Sequence, residues 1–130
     1  MTLPEFDEEF LRERAIPHVV RSDGAMLCVI LTAWPLPPGL SAECVDLLIR
    51  LPTNYPDVRP DMWWVDPALR RADGTVIPAT QVTEPHLGRT WQRWSRHFAQ
   101  GQWQSGIDGL ENYLALIRSE FLKAAGSVAA

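Results

Sequence analysis

The chain has 130 residues and a formal net charge of −4, and 46% of its residues are hydrophobic. This length is sufficient for one domain over residues 1–130 with a sizeable core, and the composition is that of an ordinary globular protein. The acidic balance argues against general nucleic-acid binding, and no apolar run is long enough to cross a membrane.

The first ten residues, MTLPEFDEEF, are acidic and have neither the basic nor the apolar segment of a signal peptide. The two cysteines, Cys28 and Cys44, lack metal-binding or redox spacing and are expected to be free thiols inside strands. These features predict a cytoplasmic protein with neither a cofactor nor a metal site.

The first predicted element is a helix over residues 3–15. Its apolar stripe consists of Leu3, Phe6, Phe10 and Leu11, and Pro17 ends it. Acidic residues come early and basic residues late, which suits the helix dipole.

Four strands are predicted next in sequence. The second of them is almost wholly apolar, while the third alternates between an apolar and a wetter face. They lie at residues 18–21, 26–34, 44–51 and 62–65. Residues 66–90 read as a long irregular loop, a kind of segment that is usually functional in a compact domain.

The stretch at residues 90–103, TWQRWSRHFAQGQW, contains three of the six tryptophans. Helical spacing would place Trp91, Trp94 and Phe98 on one face, and Gly101 would end such a helix. We therefore expect a short helix or turn with aromatic anchors, followed by a loop.

The clearest element is a C-terminal helix at residues 107–122. Its apolar residues recur at spacings of three and four: Ile107, Leu110, Leu114, Ile117 and Phe121. Asp108 and Glu111 resemble a capping box at its start. The order of elements predicts an α+β fold, a four-stranded antiparallel meander with helices against one face.

This series resembles the ubiquitin-conjugating (UBC) fold. In that family an apolar-Pro pair ends a strand and leads into Tyr-Pro, with a further Pro five residues after the Tyr. Leu51-Pro52, Tyr55-Pro56 and Pro60 match this pattern, and Trp103 stands at the family's position before the crossover helix. The segment Trp-Ser-Arg-His is similar to the bacterial branch of the superfamily.

The departures from the family concern its catalytic residues. The family's Cys lies eight residues before the Trp, where this chain has Ser95. The His-Pro-Asn signature is absent: Pro85-His86 lies at about the right distance without a following Asn, and Asn54 and Asn112 are in other segments.

Two functions follow from the resemblance. The first is a conjugating enzyme that carries a ubiquitin-like protein as an oxyester on Ser95. A serine hydroxyl needs a base or a stabilising cation, for which the candidates are His97, His86 and Arg96, with Arg93 nearby. Whether His97 reaches Ser95 depends on the local backbone, and each histidine could instead be purely structural.

The second function is a catalytically inactive variant that binds a ubiquitin-like protein or an activating enzyme. The resemblance implies those two partners in either case, together with a deconjugating metalloprotease from the same operon. It implies neither a nucleic-acid nor a membrane partner.

Arginine supplies eleven of the twelve basic residues, and Lys123 is the only lysine. Genome composition is the simplest explanation, since Ala, Pro and Trp are also abundant. The functional explanation is that a protein handling acyl transfer to lysine benefits from having few lysines of its own.

Overall fold

The computed structural model describes residues 2–96, 103–104 and 108–126. Within these residues, two helices and six strands form an α+β structure. The elements are α1 (Glu5–Glu13), β1 (His18–Asp23), β2 (Met26–Pro35), β3 (Cys44–Leu51), β4 (Trp63–Asp66), β5 (Thr83–His86), β6 (Arg89–Trp94) and α2 (Leu110–Ala124).

The strands form a sheet in the order β1-β2-β3-β4-β6-β5, in which all neighbours are antiparallel. The main hydrophobic core joins one face of this sheet to the helices, through Leu11 of α1 and Phe121 of α2. The other face carries a smaller cluster of Cys28, Ile30, Leu48, Trp64 and Trp91. The α+β, UBC-like architecture implied by the sequence is therefore confirmed.

The sheet is wider than predicted, because residues 83–94 form a hairpin instead of a loop and a helical turn. Its turn consists of Leu87 and Gly88, both with positive φ (55° and 75°). Strand β6 pairs with β4, and Trp94 lies opposite Trp63 in this register. The four predicted strands thus become six, and the helical interpretation of the stretch at residues 90–94 was wrong.

The two tryptophans of β6 lie on opposite faces of the sheet, since side chains three residues apart in a strand diverge. Trp94 enters the main core, where its ring lies 4.9 Å from that of Phe121 and 6.0 Å from that of Trp63. Trp91 packs in the smaller cluster on the other face. The predicted third anchor, Phe98, lies outside the described residues.

The start of α2 also differs from the prediction. The cap is Gly109, whose N–H donates to Asn112 Oδ1 at 3.2 Å. Asp108 instead accepts a hydrogen bond from the N–H of Gln104 at 2.7 Å, and Glu111 pairs with Arg14 at 3.0 Å. The predicted apolar face is buried, as shown by Leu110, Leu114, Ile117 and Phe121, while Ile107 lies outside the described residues.

Two burial predictions were wrong. Phe6 of α1 is 47% exposed, and the acidic Asp7 takes its place in the interior at 1% exposure. Cys28 is buried as expected, but Cys44, the first residue of β3, is exposed.

Candidate functional site

Ser95 directly follows β6 and is half-buried. Its N–H donates to the carbonyl of Ala79 at 3.1 Å, which fixes the backbone against the preceding loop. Its hydroxyl accepts a hydrogen bond from Nε of Arg93 at 3.2 Å. A guanidinium at this distance stabilises negative charge on the serine oxygen.

Arg93 is itself held by a carboxylate. Its Nη1 donates to Oε2 of Glu84 at 2.8 Å, across the β5–β6 hairpin. Glu84 also accepts hydrogen bonds at Oε1 from the Trp64 indole and from His86, each at 3.0 Å. Burial by itself would raise the pKa of Glu84, but the bonds from His86, Trp64 and Arg93 hold it below its ordinary value. Glu84 is therefore a carboxylate that orients three donors.

His86 lies between a carboxylate and a cation. Its Nε2 faces Glu84 Oε1 at 3.0 Å, and its Nδ1 faces Nη1 of Arg50 at 2.9 Å. Because the Glu84 oxygen can only accept a hydrogen bond, Nε2 must carry the proton. Because the Arg50 nitrogen can only donate one, Nδ1 must present a lone pair. The network thus assigns the neutral Nε2–H form to this imidazole. Its ring also contacts the Trp64 edge at a centroid distance of 5.2 Å.

Ser95 and His86 therefore belong to one hydrogen-bonded chain without touching each other. Within the described residues, the path runs from the serine through Arg93 and Glu84 to the imidazole, and then through Arg50 to Asp23 at 3.1 Å. His86 reaches the serine only through two intervening side chains, and accepting a proton at Nδ1 would first require movement of Arg50.

Arg96 faces away from the Ser95 hydroxyl and toward α2. Its Nε donates to Oε1 of Glu120 at 2.9 Å, and its Nη1 donates to the carbonyls of Pro78 and Ser95, each at 3.1 Å. Its guanidinium also lies 4.8 Å from the Trp94 ring centroid. These contacts fasten the segment after β6 to the second helix. The remaining candidate, His97, lies outside the described residues.

The Tyr-Pro pair contacts α1 directly and reaches the start of α2 through Asp7. The hydroxyl of Tyr55 donates to Asp7 of α1 at 2.5 Å, and the other oxygen of Asp7 accepts the N–H of Leu110 at the start of α2, at 2.9 Å. The indole of Trp103 donates to the carbonyl of Pro56 at 2.8 Å. The motif thus anchors Trp103, which precedes α2 in the chain.

Asp7 is the buried charge at the centre of this arrangement. Burial raises its pKa above the ordinary value, while the hydrogen bonds from Tyr55 and Leu110 oppose the rise. Burial also raises the pKa of the Tyr55 hydroxyl, and the neighbouring carboxylate adds to that rise. A carboxylate at a helix N-terminus is favourable electrostatically, so Asp7 serves as a cap supplied by another helix.

Two site residues were missed from the sequence, Glu84 and Arg50. The sequence does contain a signal for Glu84: it lies two residues before His86, and this spacing places both side chains on one face of a strand. It was overlooked because Leu87-Gly88 lacks the Asn-Gly or Asp-Gly signature of a two-residue hairpin turn.

Neither a metal centre nor a membrane helix is found where the structure describes the chain. No group of three or more His, Cys, Asp or Glu side chains there could hold a metal ion. Among those same residues, no helix is long and apolar enough to cross a bilayer.

The sequence model of the family described as Prokaryotic E2 family E matches residues 3–124, nearly the whole chain. The chain belongs to prokaryotic E2 family E. No curated protein and no solved structure gave a match.

Membership of prokaryotic E2 family E indicates a function of the ubiquitin-conjugation type for this protein. Proteins of the E2 kind work with a ubiquitin-like protein and an activating enzyme, and their general activity is that of a conjugating transferase. In this prokaryotic E2 family member, Ser95 stands where the resemblance to UBC enzymes leads one to expect the catalytic cysteine.

Proposed function

We propose that this protein carries a ubiquitin-like protein as an oxyester on Ser95 and passes it to a target amine. The observation that supports this most directly is the contact between Ser95 Oγ and Arg93 Nε at 3.2 Å. Ser95 also stands eight residues before Trp103, the spacing of the catalytic cysteine in the resembling family.

The Arg93 guanidinium has a role in both steps of the proposed reaction, charging and transfer. In charging, the serine oxygen attacks the thioester carbonyl on the activating enzyme, the carbon–sulfur bond breaks, and the thiol leaves. In transfer, an amine attacks the ester carbonyl, the carbon–oxygen bond breaks, and the serine oxygen leaves. Negative charge develops on that oxygen each time, and Arg93 is positioned to stabilise it.

The remaining candidates take distinct parts in this proposal. His97 follows Ser95 by two residues and is the proposed base that removes the hydroxyl proton. His86 acts at a distance, by orienting Glu84 and through it Arg93. Arg96 positions the serine backbone by bridging it to α2.

A charging assay with the activating enzyme, ATP and the ubiquitin-like protein encoded in the same genome tests the proposal. The wild-type adduct is expected to resist thiol reductant and to be cleaved by alkali. Ser95→Ala should abolish it, and Ser95→Cys should give an adduct that reductant cleaves. Ser22→Ala, which removes an exposed hydroxyl of β1, is the matched control and should charge normally. Normal charging of Ser95→Ala would place the carrier elsewhere.

Two arginine variants separate the role of charge at the hydroxyl from the role of backbone positioning. Arg93→Gln removes the guanidinium that contacts Ser95 Oγ and should slow charging by about 100-fold. Arg96→Gln removes contacts to Glu120 and to two carbonyls, so it should have a smaller effect on charging and a larger one on stability. Equal charging rates in the two variants would contradict the role given to Arg93.

The second candidate function is a catalytically inactive binding module. The observation in its favour is that both ring nitrogens of His86 are already engaged, by Arg50 and Glu84. If the activating enzyme forms its own adduct while the wild-type protein never charges, this function replaces the first. Binding of the ubiquitin-like protein, measured by titration calorimetry, would then be its positive evidence.

The cellular setting is also a proposal. The resemblance to the bacterial branch supports a cytoplasmic pathway with a deconjugating metalloprotease encoded in the same operon. Adjacent genes for an activating enzyme, a ubiquitin-like protein and a metalloprotease are the expected neighbourhood, and a neighbourhood without them would count against this pathway.

A further inference from the structure

The two edges of the sheet differ in how well they are protected. Strand β1 lies at one end of the strand order and β5 at the other. The β5 edge is four residues long and contains Pro85, which has no N–H to donate to a further strand. Strand β1 is six residues long, pairs with β2 without a bulge, and contains neither proline nor lysine. An edge of this length without such protection is a surface for pairing with another strand.

The outer side of β1 offers both backbone groups and apolar side chains. Antiparallel strands exchange hydrogen bonds at every second residue, and the carbonyl of Pro17 accepts a backbone N–H of β2 at 3.0 Å. This alternation directs the N–H and C=O groups of His18, Val20 and Ser22 away from β2. The side chains of Val19 and Val20 are 43% and 38% exposed. The edge therefore combines free backbone donors and acceptors with an apolar centre.

We propose that β1 pairs antiparallel with β1 of a second copy of this chain, about a two-fold axis at Val20. Val20 then lies opposite Val20 of the second copy, and His18 lies opposite its Ser22. Each of the three bonded pairs exchanges two hydrogen bonds, so about six backbone hydrogen bonds join the copies. The contact is self-complementary, as a two-fold interface requires. This dimer goes beyond the proposed function and does not depend on Ser95.

Charge selects this register over its nearest alternative. A two-fold axis at Arg21 would place two guanidinium groups directly opposite each other, which is unfavourable. With the axis at Val20, Arg21 lies opposite Val19 of the second copy. The aliphatic part of the arginine then covers an exposed valine while its charged end stays in water.

A groove beside this edge supplies a second contact surface. It has a volume of about 480 Å³ between α1 and β1, and His18 and Val20 line its strand side. Its apolar lining also includes Leu3, Leu11 and Ile16. The charged residues at the groove are Glu8 and Arg12, both exposed, and neither forms an ion pair with another residue that the structure describes. The two-fold axis puts both grooves on the same face of the joined sheet, where the acid and base of one copy complement those of the other.

Analytical ultracentrifugation of the full chain tests the dimer, from about 5 to 500 μM because a small interface associates weakly. The wild type is expected to shift from monomer to dimer as the concentration rises. Val20→Lys places two positive charges at the axis and should raise the dimer Kd at least about tenfold. The matched control is Val82→Lys, which changes a 44% exposed valine directly before β5, at the other edge. It should dimerise like the wild type.

Cysteine cross-linking tests the register, in a Cys44→Ser background that removes the exposed thiol. The Cα atoms of a bonded antiparallel pair lie about 5.5 Å apart, which a disulfide can span. Val20→Cys should therefore form a disulfide-linked dimer on mild oxidation. Ser22→Cys is the matched control on the same strand, since its sulfur would lie about 14 Å from that of the second copy. It should give less than about a tenth of the Val20→Cys yield.

Three results would overturn the inference. They are a wild type that stays monomeric over the whole concentration range, a Val82→Lys variant that dissociates as readily as Val20→Lys, and equal cross-linking of Ser22→Cys and Val20→Cys. A monomeric wild type would leave the β1 edge to a strand of a different protein. The charging of Ser95 is measured separately, so failure of the dimer leaves the proposed function untouched.

Discussion

Removing the hydroxyl of Tyr55 isolates one bond to a buried charge. Tyr55→Phe deletes the 2.5 Å hydrogen bond to Asp7, a residue that is only 1% exposed. The other hydrogen bond to this carboxylate, from the N–H of Leu110, stays in place. Hydrogen bonds to charged groups contribute about 1.5–3 kcal/mol. We expect the free energy of unfolding at pH 7 to fall by about that amount, and the melting temperature to fall on the order of 5–15 °C.

Tyr113→Phe is the matched control for this prediction. The hydroxyl of Tyr113 is also in the core, but it donates to a neutral acceptor, the carbonyl of Met62, at 2.7 Å. The expected loss is about 0.5–1.5 kcal/mol, smaller because the acceptor carries no net charge. Urea denaturation of the wild type and both variants measures the difference.

The pH dependence gives an independent check. Because burial raises the pKa of Asp7 in the folded state above its ordinary value of 3.8, the stability linked to this group is greatest below that pH and is lost as pH rises through the folded-state pKa. Tyr55→Phe removes a donor that favours the ionised form, which raises this pKa further. Its deficit relative to the wild type should therefore be larger at pH 7 than at pH 4.

Two outcomes would refute the reasoning. One is a Tyr55→Phe protein whose free energy of unfolding stays within about 0.5 kcal/mol of the wild type at pH 7, which is the range of ordinary surface changes. The other is a deficit that equals that of Tyr113→Phe at both pH values, since this would mean that the charge on Asp7 contributes nothing.

Three further predictions concern the core, the thiols and the base. Trp94→Ala should lower the free energy of unfolding by about 3–5 kcal/mol, because the Trp94 ring is fully buried. The Trp103 side chain is only half-buried, so Trp103→Ala should lower it by about 3 kcal/mol. Denaturation curves that match the wild type would contradict both expectations. Cys28→Ser plus Cys44→Ser should still charge, since one thiol is buried and the other lies at the exposed start of β3; loss of the adduct in a folded protein would show otherwise. His97→Ala should slow charging by about 100-fold if this residue is the general base, as single-turnover rates would show.

The sequence by itself determined the elements whose signal is local. The apolar run of β2, the alternation of β3 and the periodic face of α2 each express the geometry of one element, so they identify it without knowledge of its neighbours. The spacing of Tyr55, Pro56 and Pro60 likewise carried the family resemblance, because it reflects the shape of one loop.

The tertiary structure alone decided what depends on contacts between distant segments. Trp91 and Trp94 have helical spacing, yet pairing with β4 makes their segment a strand and divides them between two faces. Asp7 reads as one more acidic residue of an amphipathic helix, and only the approach of Tyr55 and the start of α2 makes it a buried cap.

The same division holds at the candidate site. The spacing to Trp103 indicated Ser95 as the candidate residue. The cation that contacts its hydroxyl is Arg93, which is held by Glu84 from the neighbouring strand of the hairpin. Propensity and period describe a residue's own neighbourhood along the chain, whereas a hydrogen-bond network forms between side chains that only the sheet brings together. For that reason the sequence pointed to the serine, and the fold supplied its partners.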